Sequence, residues 1–228
     1  MSQDAAARAE PAPRLVFFDL DGTLARRDTL LPYVGRYLLP RPWRWWRLAG
    51  VLAPLCGFAV GRGNRGALKG ALIRAGLGGA SARDIDAWNS RFLPGLLAHG
   101  LFPGALAAIE WHLRQGDHLV LMSASVDLYV PEIGRRLGFD ETICSGVTWA
   151  AGRLDGRLRT ANRRDEEKAR CFRAAAAEHP GKATVAYGNS ASDLPHMVLA
   201  TRAVMVNPSP ALRAQAEVHG IECVSWRE

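Results

Sequence analysis

The sequence predicts an α/β fold: a Rossmann-like doubly wound parallel sheet with an inserted helical cap. Three observations carry this. Four short apolar runs lack polar alternation, as strands buried on both faces do. Helical stretches with clear start and stop signals lie among them. A long segment between the first two runs has helical composition and no strand pattern.

The first run, Leu15-Val16-Phe17-Phe18, leads into Asp19, and the second, Leu119-Val120-Leu121-Met122, into Ser123. Ala183 to Tyr187 leads into Gly188-Asn189, and Ala203 to Val206 into Asn207-Pro208. Helices are expected at Pro103–Gln115, stopped by Gly116, and at Asp165–Glu178, with Asp165 as N-cap. Another is expected at Pro210–His219, after an N-cap Ser209. Gly152 to Leu158 reads as a small hairpin turning at Asp155-Gly156. Residues 14–27 and 101–228 then form the core, residues 28–100 the cap, and residues 1–13 a disordered tail rather than a signal peptide. Ligands of such sheets bind beyond the carboxyl ends of the strands. Here those ends carry Asp19, Ser123 and the turn from Asn189 to Asp193.

At 228 residues with 48% hydrophobic content, the chain is one large domain, or a core with an insert, that can bury a proper core. Its formal charge of +7 favours anionic partners: phosphorylated small molecules, anionic lipid surfaces or nucleic acid. Nucleic acid is not expected, because arginines are scattered along the chain and no nucleic-acid module is visible. The cysteines Cys56, Cys144, Cys171 and Cys223 form no C-x-x-C pair and read as reduced, mostly buried thiols of a cytoplasmic protein. The six histidines show no H-x-x-x-H spacing, so no zinc site is expected. The longest apolar run, Leu48 to Val60, is too short for the ~20 residues a membrane-spanning helix needs.

Asp19-Leu20-Asp21-Gly22-Thr23-Leu24 is the most specific chemical signal. Two carboxylates two residues apart at a strand end can face one site, the first as nucleophile and metal ligand, the second as general acid and base. Gly22 and Thr23 allow a tight turn whose amides and hydroxyl can hold an oxyanion. The competing explanation is an ordinary Asp-Gly turn.

These residues resemble the first motif of the haloacid dehalogenase superfamily. Ser123 in Leu121-Met122-Ser123-Ala124-Ser125 matches the second motif, Lys168 the third, and Gly188-Asn189-Ser190-Ala191-Ser192-Asp193 the fourth. The gap between the first two resembles the helical-cap, phosphoserine-phosphatase-like branch (subfamily IB). The resemblance implies a Mg²⁺-dependent phosphomonoester hydrolase in which Asp19 becomes an aspartyl-phosphate and Asp21 is the acid, then the base. Ser123 would donate to a phosphoryl oxygen, and Lys168 would balance charge. Mg²⁺ would sit among Asp19, the Asp21 carbonyl, Asn189 and the phosphate. Where the family usually has Gly-Asp, this chain has Gly188-Asn189. That removes one charge from the metal site, and Asp193 would compensate directly or through water. A weakly active or inactive phosphate-binding homologue is one alternative that follows.

For the substrate, Asp28 falls where phosphoserine phosphatases carry a Glu that meets the substrate amine, and Lys69 near a basic cap position. Trp and Arg interleaved in Arg41-Pro42-Trp43-Arg44-Trp45-Trp46-Arg47, followed by the apolar run, suit a headgroup-level interface. They suggest a peripheral contact through residues 41–60 with the inner face of the membrane. The corresponding alternative is a lipid-phosphate phosphatase resembling the phosphatidylglycerophosphatase type. A buried cap helix with packed Trp residues explains the same pattern without a membrane.

Overall fold

The computed structural model describes residues 12–62 and 65–227. The expected disordered tail therefore lies outside the described residues, except for its last two positions. The four apolar runs become β1 (Leu15–Phe18), β2 (His118–Val126), β6 (Thr184–Gly188) and β7 (Arg202–Val206). Two strands that the apolar pattern does not reveal, β3 (Glu141–Ser145) and β8 (Glu222–Val224), close the edges. The six strands form one parallel sheet in the order β3-β2-β1-β6-β7-β8. The chain runs from β1 outward to β3 and then returns across β1 to β6. The order therefore reverses at β1, and ligand crevices open beyond the strand ends at such a point.

Side-chain alternation divides the core. Val16 and Phe18 of β1, Leu119 and Leu121 of β2, and Val185 and Tyr187 of β6 pack in one cluster. Leu15, Phe17, Val120, Met122 and Ala186 pack in another, with Phe172. Each residue is buried because both faces are covered, which explains the unbroken apolar runs. Helix α5 (Pro103–Arg114) covers the first face; α7 (Glu166–Glu178) covers the second. Asp165 stands at the N-cap of α7 as expected, and its carbonyl accepts from the Lys168 amide at 3.0 Å, although its side chain makes no capping hydrogen bond. Helix α9 (Pro210–Val218) does begin on its expected cap, with the Ser209 hydroxyl accepting from the Leu212 amide at 3.3 Å. Helices α6 (Val130–Leu137) and α8 (Leu194–Met197) complete the layers.

Between β1 and α5 the chain is helical. It contains α1 (Leu30–Leu38), a 3-10 segment (Pro42–Leu48), α2 (Ala49–Ala59), α3 (Arg65–Leu77) and α4 (Ala82–His99). Tyr33, Val34, Ile73, Leu77, Phe92 and Leu93 share the cluster of Val16 and Phe18, so these helices are anchored to one sheet face. Buried polar contacts reinforce the join. The Tyr33 hydroxyl donates to Asn89 Oδ1 at 2.7 Å, and Asn89 Nδ2 donates to the Leu128 carbonyl at 2.7 Å. The 3-10 segment and α2 bury no residue, and Trp43 and Trp46 are 66% and 74% exposed. A packed Trp helix is therefore not what forms. Of the cysteines only Cys171 is buried, and Cys56 is exposed on α2, so the expectation of mostly buried thiols also fails.

The hairpin pairs β4 (Val147–Ala150) with β5 (Arg153–Leu158), turning at Ala151 and Gly152, both at positive φ. Asp155-Gly156 is thus not the turn but lies inside β5. Gly156 has φ +87° because the backbone of α3 crosses it. A Cβ there would lie 2.7 Å from the Arg74 nitrogen, and one on Gly70 would lie 3.2 Å from the Gly156 carbonyl oxygen. This close crossing sets α3, and with it Lys69, against the hairpin. Gly156→Ala is expected to cost about 1–3 kcal/mol more than Gly152→Ala. Gly152 also has positive φ but meets no atom within 4 Å, so it isolates the steric part. Urea unfolding of both variants checks this, and equal losses would refute a tight crossing.

Candidate active site

The end of β1 delivers Asp19 to the floor of a cavity of 340 Å³. Its backbone nitrogen continues the sheet by donating to the Tyr187 carbonyl at 3.0 Å, which fixes the residue against β6. Lys168 Nζ donates to Asp19 Oδ1 at 2.7 Å and to Asp193 Oδ1 at 2.6 Å. All three side chains are at least nine-tenths buried. Burial works against the Lys168 charge, but the two carboxylates outweigh it and hold the ammonium well above the ordinary lysine range. Burial raises the Asp19 carboxyl; Lys168 opposes this, while Asp193 and Asp21 add to it. Lys168, at a helix start that reads as solvated, is thus a buried counter-ion.

Asp21 stands higher on the same loop. Its Oδ1 accepts from the Thr29 amide at 2.7 Å and the Thr29 hydroxyl at 2.6 Å, and its Oδ2 accepts from Ser125 Oγ at 2.5 Å. Burial raises its pKa, and the bonds from Ser125 and Thr29 only partly offset that. A carboxyl so placed retains a proton more readily than an exposed one.

Gly22 is at φ +87°, and a Cβ on it would lie 2.1 Å from Asn189 Nδ2, so both backbone and space require glycine. The expected oxyanion-holding amides are already engaged within the turn. Gly22 donates to the Ala25 carbonyl at 2.8 Å and Thr23 to that of Leu20 at 3.3 Å. The buried Thr23 hydroxyl instead lies 3.1 Å from Asp19 Oδ2 and 3.3 Å from Asn189 Oδ1. Ser123 is fully buried, and its hydroxyl accepts from the Ser125 amide at 3.0 Å. Asp193 Oδ2 accepts from the Asn189 and Ser190 amides at 3.1 and 3.0 Å and from the Ser190 hydroxyl at 2.8 Å. With its other oxygen on Lys168, Asp193 has hydrogen-bond partners on both oxygens, as Asp19 has.

At the rim, Asp28 is exposed and its Oδ1 accepts from the Leu31 amide at 2.9 Å, so it also caps α1. Lys69 lines the opposite wall and donates to the Ala124 carbonyl and Asn162 Oδ1, each at 2.5 Å. Burial lowers its pKa to about 8, although Asp21 raises it. The cavity therefore gathers Asp19, Asp21, Gly22, Asp28, Lys69, Lys168, Asn189 and Asp193, while Thr23 and Ser123 lie behind its wall. Sequence reasoning missed Thr29, Ser125, Arg163 and Arg164. Ser125 is two residues from Ser123 on one strand and therefore on the same side, a signal that was available.

The donor set suits a hard cation. Asp19 Oδ2 and Asn189 Oδ1 converge on one hydroxyl that has a single proton to give, and every candidate donor is oxygen. Asp19, the Asp21 carbonyl and Asn189 could hold such a cation.

A family model of haloacid dehalogenase-like hydrolases matches residues 16–197. Protein CicA of Caulobacter vibrioides is 33% identical over 197 residues, which is 82% of this chain and 83% of that protein. Phosphoserine phosphatase SerB1 of Mycobacterium tuberculosis is 27% identical over 223 residues, 92% of this chain and 70% of that one. A crystal structure of a Bordetella pertussis protein with unknown function matches with TM-score 0.76 at 24% identity, covering 93% of this chain and 98% of the other. A phosphoserine phosphatase caught as a phospho-aspartyl intermediate analogue matches with TM-score 0.65 at 19% identity, covering 93% of both. The structural likenesses carry the fold.

Lys69 supplies a pH test. In the free protein it loses its proton as pH rises through about 8, and with it the attraction for an anionic ligand. The kcat/KM for a dianionic phosphate ester is expected to fall across that range, mainly through KM. Lys69→Arg, which keeps its charge, should remove that limb. An identical limb in Lys69→Arg would assign it to another group.

Proposed function

We propose that this chain, which belongs to the haloacid dehalogenase-like hydrolases, is a phosphomonoester phosphatase that works through phospho-Asp19. The observation that carries the proposal is the buried ion triad of Lys168 with Asp19 and Asp193, set beside Asp21, whose carboxyl is raised. One carboxylate is held by an ammonium and a threonine hydroxyl, and the other is poised to carry a proton. Both carboxyls are raised by burial, so the contacts divide the roles: Lys168 and Thr23 hold Asp19, while Thr29 and Ser125 hold Asp21.

In the proposed reaction an Asp19 oxygen attacks phosphorus and the P–O ester bond breaks. Asp21 gives its proton to the leaving oxygen, so the alcohol departs neutral. Asp21, now a carboxylate, takes a proton from water as that water attacks the phosphoryl group and frees Asp19. Thr29 and Ser125 hold Asp21 in one orientation for both transfers. Lys168 opposes the rise that burial imposes on the Asp19 carboxyl, which is still pushed up to about 7, and offsets charge on the phosphoryl oxygens. Mg²⁺, when bound, would polarise the phosphoryl group and offset its charge. The helices of residues 28–100 act as a cap that limits access to the cavity.

Phosphate release from an aryl phosphate is expected only with Mg²⁺ and is expected to vanish in Asp19→Asn. Asn189→Asp should bring half-activation at roughly tenfold less Mg²⁺, equivalent to about 1.4 kcal/mol. Turnover retained by Asp19→Asn would overturn the covalent route.

A specific observation favours lipid phosphates over soluble ones as substrates, at the cytoplasmic face of the membrane. No described helix is long and apolar enough to cross a membrane. The exposed segment of Pro42–Ala59 nonetheless carries Trp43, Trp46, Leu52 and Phe58 to solvent, and Arg41, Arg44, Arg47 and Arg62 flank or interleave it. Beneath it runs a groove of 920 Å³ lined by Trp46, Pro54, Leu154 and Leu158. The groove shares Gly66 and Leu158 with a hollow at Arg65 and Arg164, and Arg164 also lines the catalytic cavity. Neighbouring hollows thus lie between an apolar, cationic surface and the catalytic cavity, an arrangement that suits an anionic lipid. The protein is expected to sediment with vesicles rich in anionic phospholipid, and a Trp43/Trp45/Trp46→Ala variant should stay in solution. Equal, negligible pelleting would count against the lipid reading.

A further inference from the structure

At the opposite end of the sheet from the catalytic carboxylates, three side chains from three elements meet. His118 opens β2, Glu141 opens β3, and His179 follows the last turn of α7. Glu141 Oε1 lies 2.7 Å from His118 Nε2 and 3.0 Å from His179 Nε2. The imidazole centroids are 4.4 Å apart, and one ligating atom from each of the three residues lies within 4.8 Å of the others. We propose that His118, Glu141 and His179 form a binding site for a divalent transition metal, Zn²⁺ in the first instance, distinct from the catalytic Mg²⁺ site.

Two imidazoles and a carboxylate are a borderline donor set, which suits Zn²⁺ rather than Mg²⁺. Ligand atoms around a tetrahedral Zn²⁺, each ~2.0–2.1 Å from the ion, sit roughly 3.4 Å apart. The two Glu141 contacts therefore need to open by less than about 1 Å, a side-chain adjustment. The three side chains are 23%, 32% and 19% exposed, which gives an ion an entry path and leaves a fourth position for water.

The surroundings supply an orienting group. Asp140 Oδ2 lies 3.8 Å from His118 Nδ1 and is fixed by the Leu119 amide at 2.8 Å. When Nε2 of His118 ligates, its remaining ring proton would sit on Nδ1, and a shift of under about 1 Å would bring Asp140 into the hydrogen bond that commonly orients a metal-bound histidine. Sequence spacing conceals the site, since its members are 23 and 38 residues apart and meet only once β2, β3 and α7 are assembled. The ion would tie the start of two strands to the end of the helix whose first turn carries Lys168. His118 and Ser123 stand five residues apart on one strand, so the ion would lie on the order of 16 Å from the catalytic cavity.

The test uses the full chain after treatment with a chelator, with Asp19→Asn as a second background that weakens the Mg²⁺ site. Co²⁺ is expected to give the intense visible absorption of a four-coordinate site in both proteins. Zn²⁺ should displace it at one equivalent and raise Tm. His179→Ala should lose the absorption and bind Zn²⁺ at least about tenfold more weakly, with its far-UV circular dichroism unchanged. Glu141→Gln is the second variant if His179→Ala folds poorly. The proposal fails if the Co²⁺ signal and Zn²⁺ stoichiometry survive in these variants, or if the unsubstituted chain takes up no Zn²⁺ at micromolar concentration.

Discussion

The buried ammonium of Lys168 is the constraint on which the rest of the site depends. It bridges Asp19 at the end of β1 and Asp193 in the turn after β6, at 2.7 and 2.6 Å. Two carboxylates this close could not both stay ionised in a buried setting without it. The bridge works only if β1, β6 and the first turn of α7 keep their registration, so the order of the sheet and the chemistry of the cavity are set together. Removing one partner of such a triad leaves a buried charge uncompensated, which costs about 3–5 kcal/mol. The site therefore doubles as part of the core. The cavity is lined by four acidic side chains, Asp19, Asp21, Asp28 and Asp193, and four basic ones, Lys69, Arg163, Arg164 and Lys168, so it presents both signs of charge to a ligand.

Much of this was legible in the sequence because buried parallel strands have a strong signature. The four apolar runs became β1, β2, β6 and β7, and their polar ends point to one edge. Edge strands lack that signature. β3 is half-buried and carries Glu141, Thr142 and Ser145, and β8 has three residues, none of them buried. The Asp155-Gly156 turn was misread for a related reason. Glycine at positive φ serves a close backbone crossing as well as a reversal, and only the position of α3 distinguishes the two. Asp19, Asp21 and Lys168 could be named from ordered motifs, but the burial of Lys168 could not. A lysine among Glu and Arg at a helix start reads as solvated until the carboxylates it meets are placed. The His118, Glu141 and His179 cluster has no linear trace.

The helices between β1 and α5 and the sheet differ in how they are held. Strand ends joined by backbone hydrogen bonds hold Asp19 and the Asn189 turn rigidly, which suits chemistry. The helices between β1 and α5 meet the sheet through Tyr33, Leu77 and Phe92 and meet the hairpin through the Gly70 and Gly156 crossing. That leaves one surface uncovered, the largely exposed apolar helix flanked by arginine, and it is the surface that the proposed lipid contact would cover.

Asn189 shows how the site balances opposing demands. An aspartate there would bring a further carboxylate beside Asp19 and Asp193, with one fully buried ammonium to balance them. Before a cation arrives, that charge would raise the cost of keeping Asp19 ionised. The neutral amide has nearly the same shape, fits against Gly22 and still offers an oxygen beside the Thr23 hydroxyl. It thus lowers repulsion in the metal-free cavity and weakens the pull on the ion through the same missing charge. Under the proposed chemistry, Mg²⁺ affinity is given up for a resting site in which the Asp19 carboxyl, already raised to about 7 against the pull of Lys168, is not driven higher by a further negative neighbour.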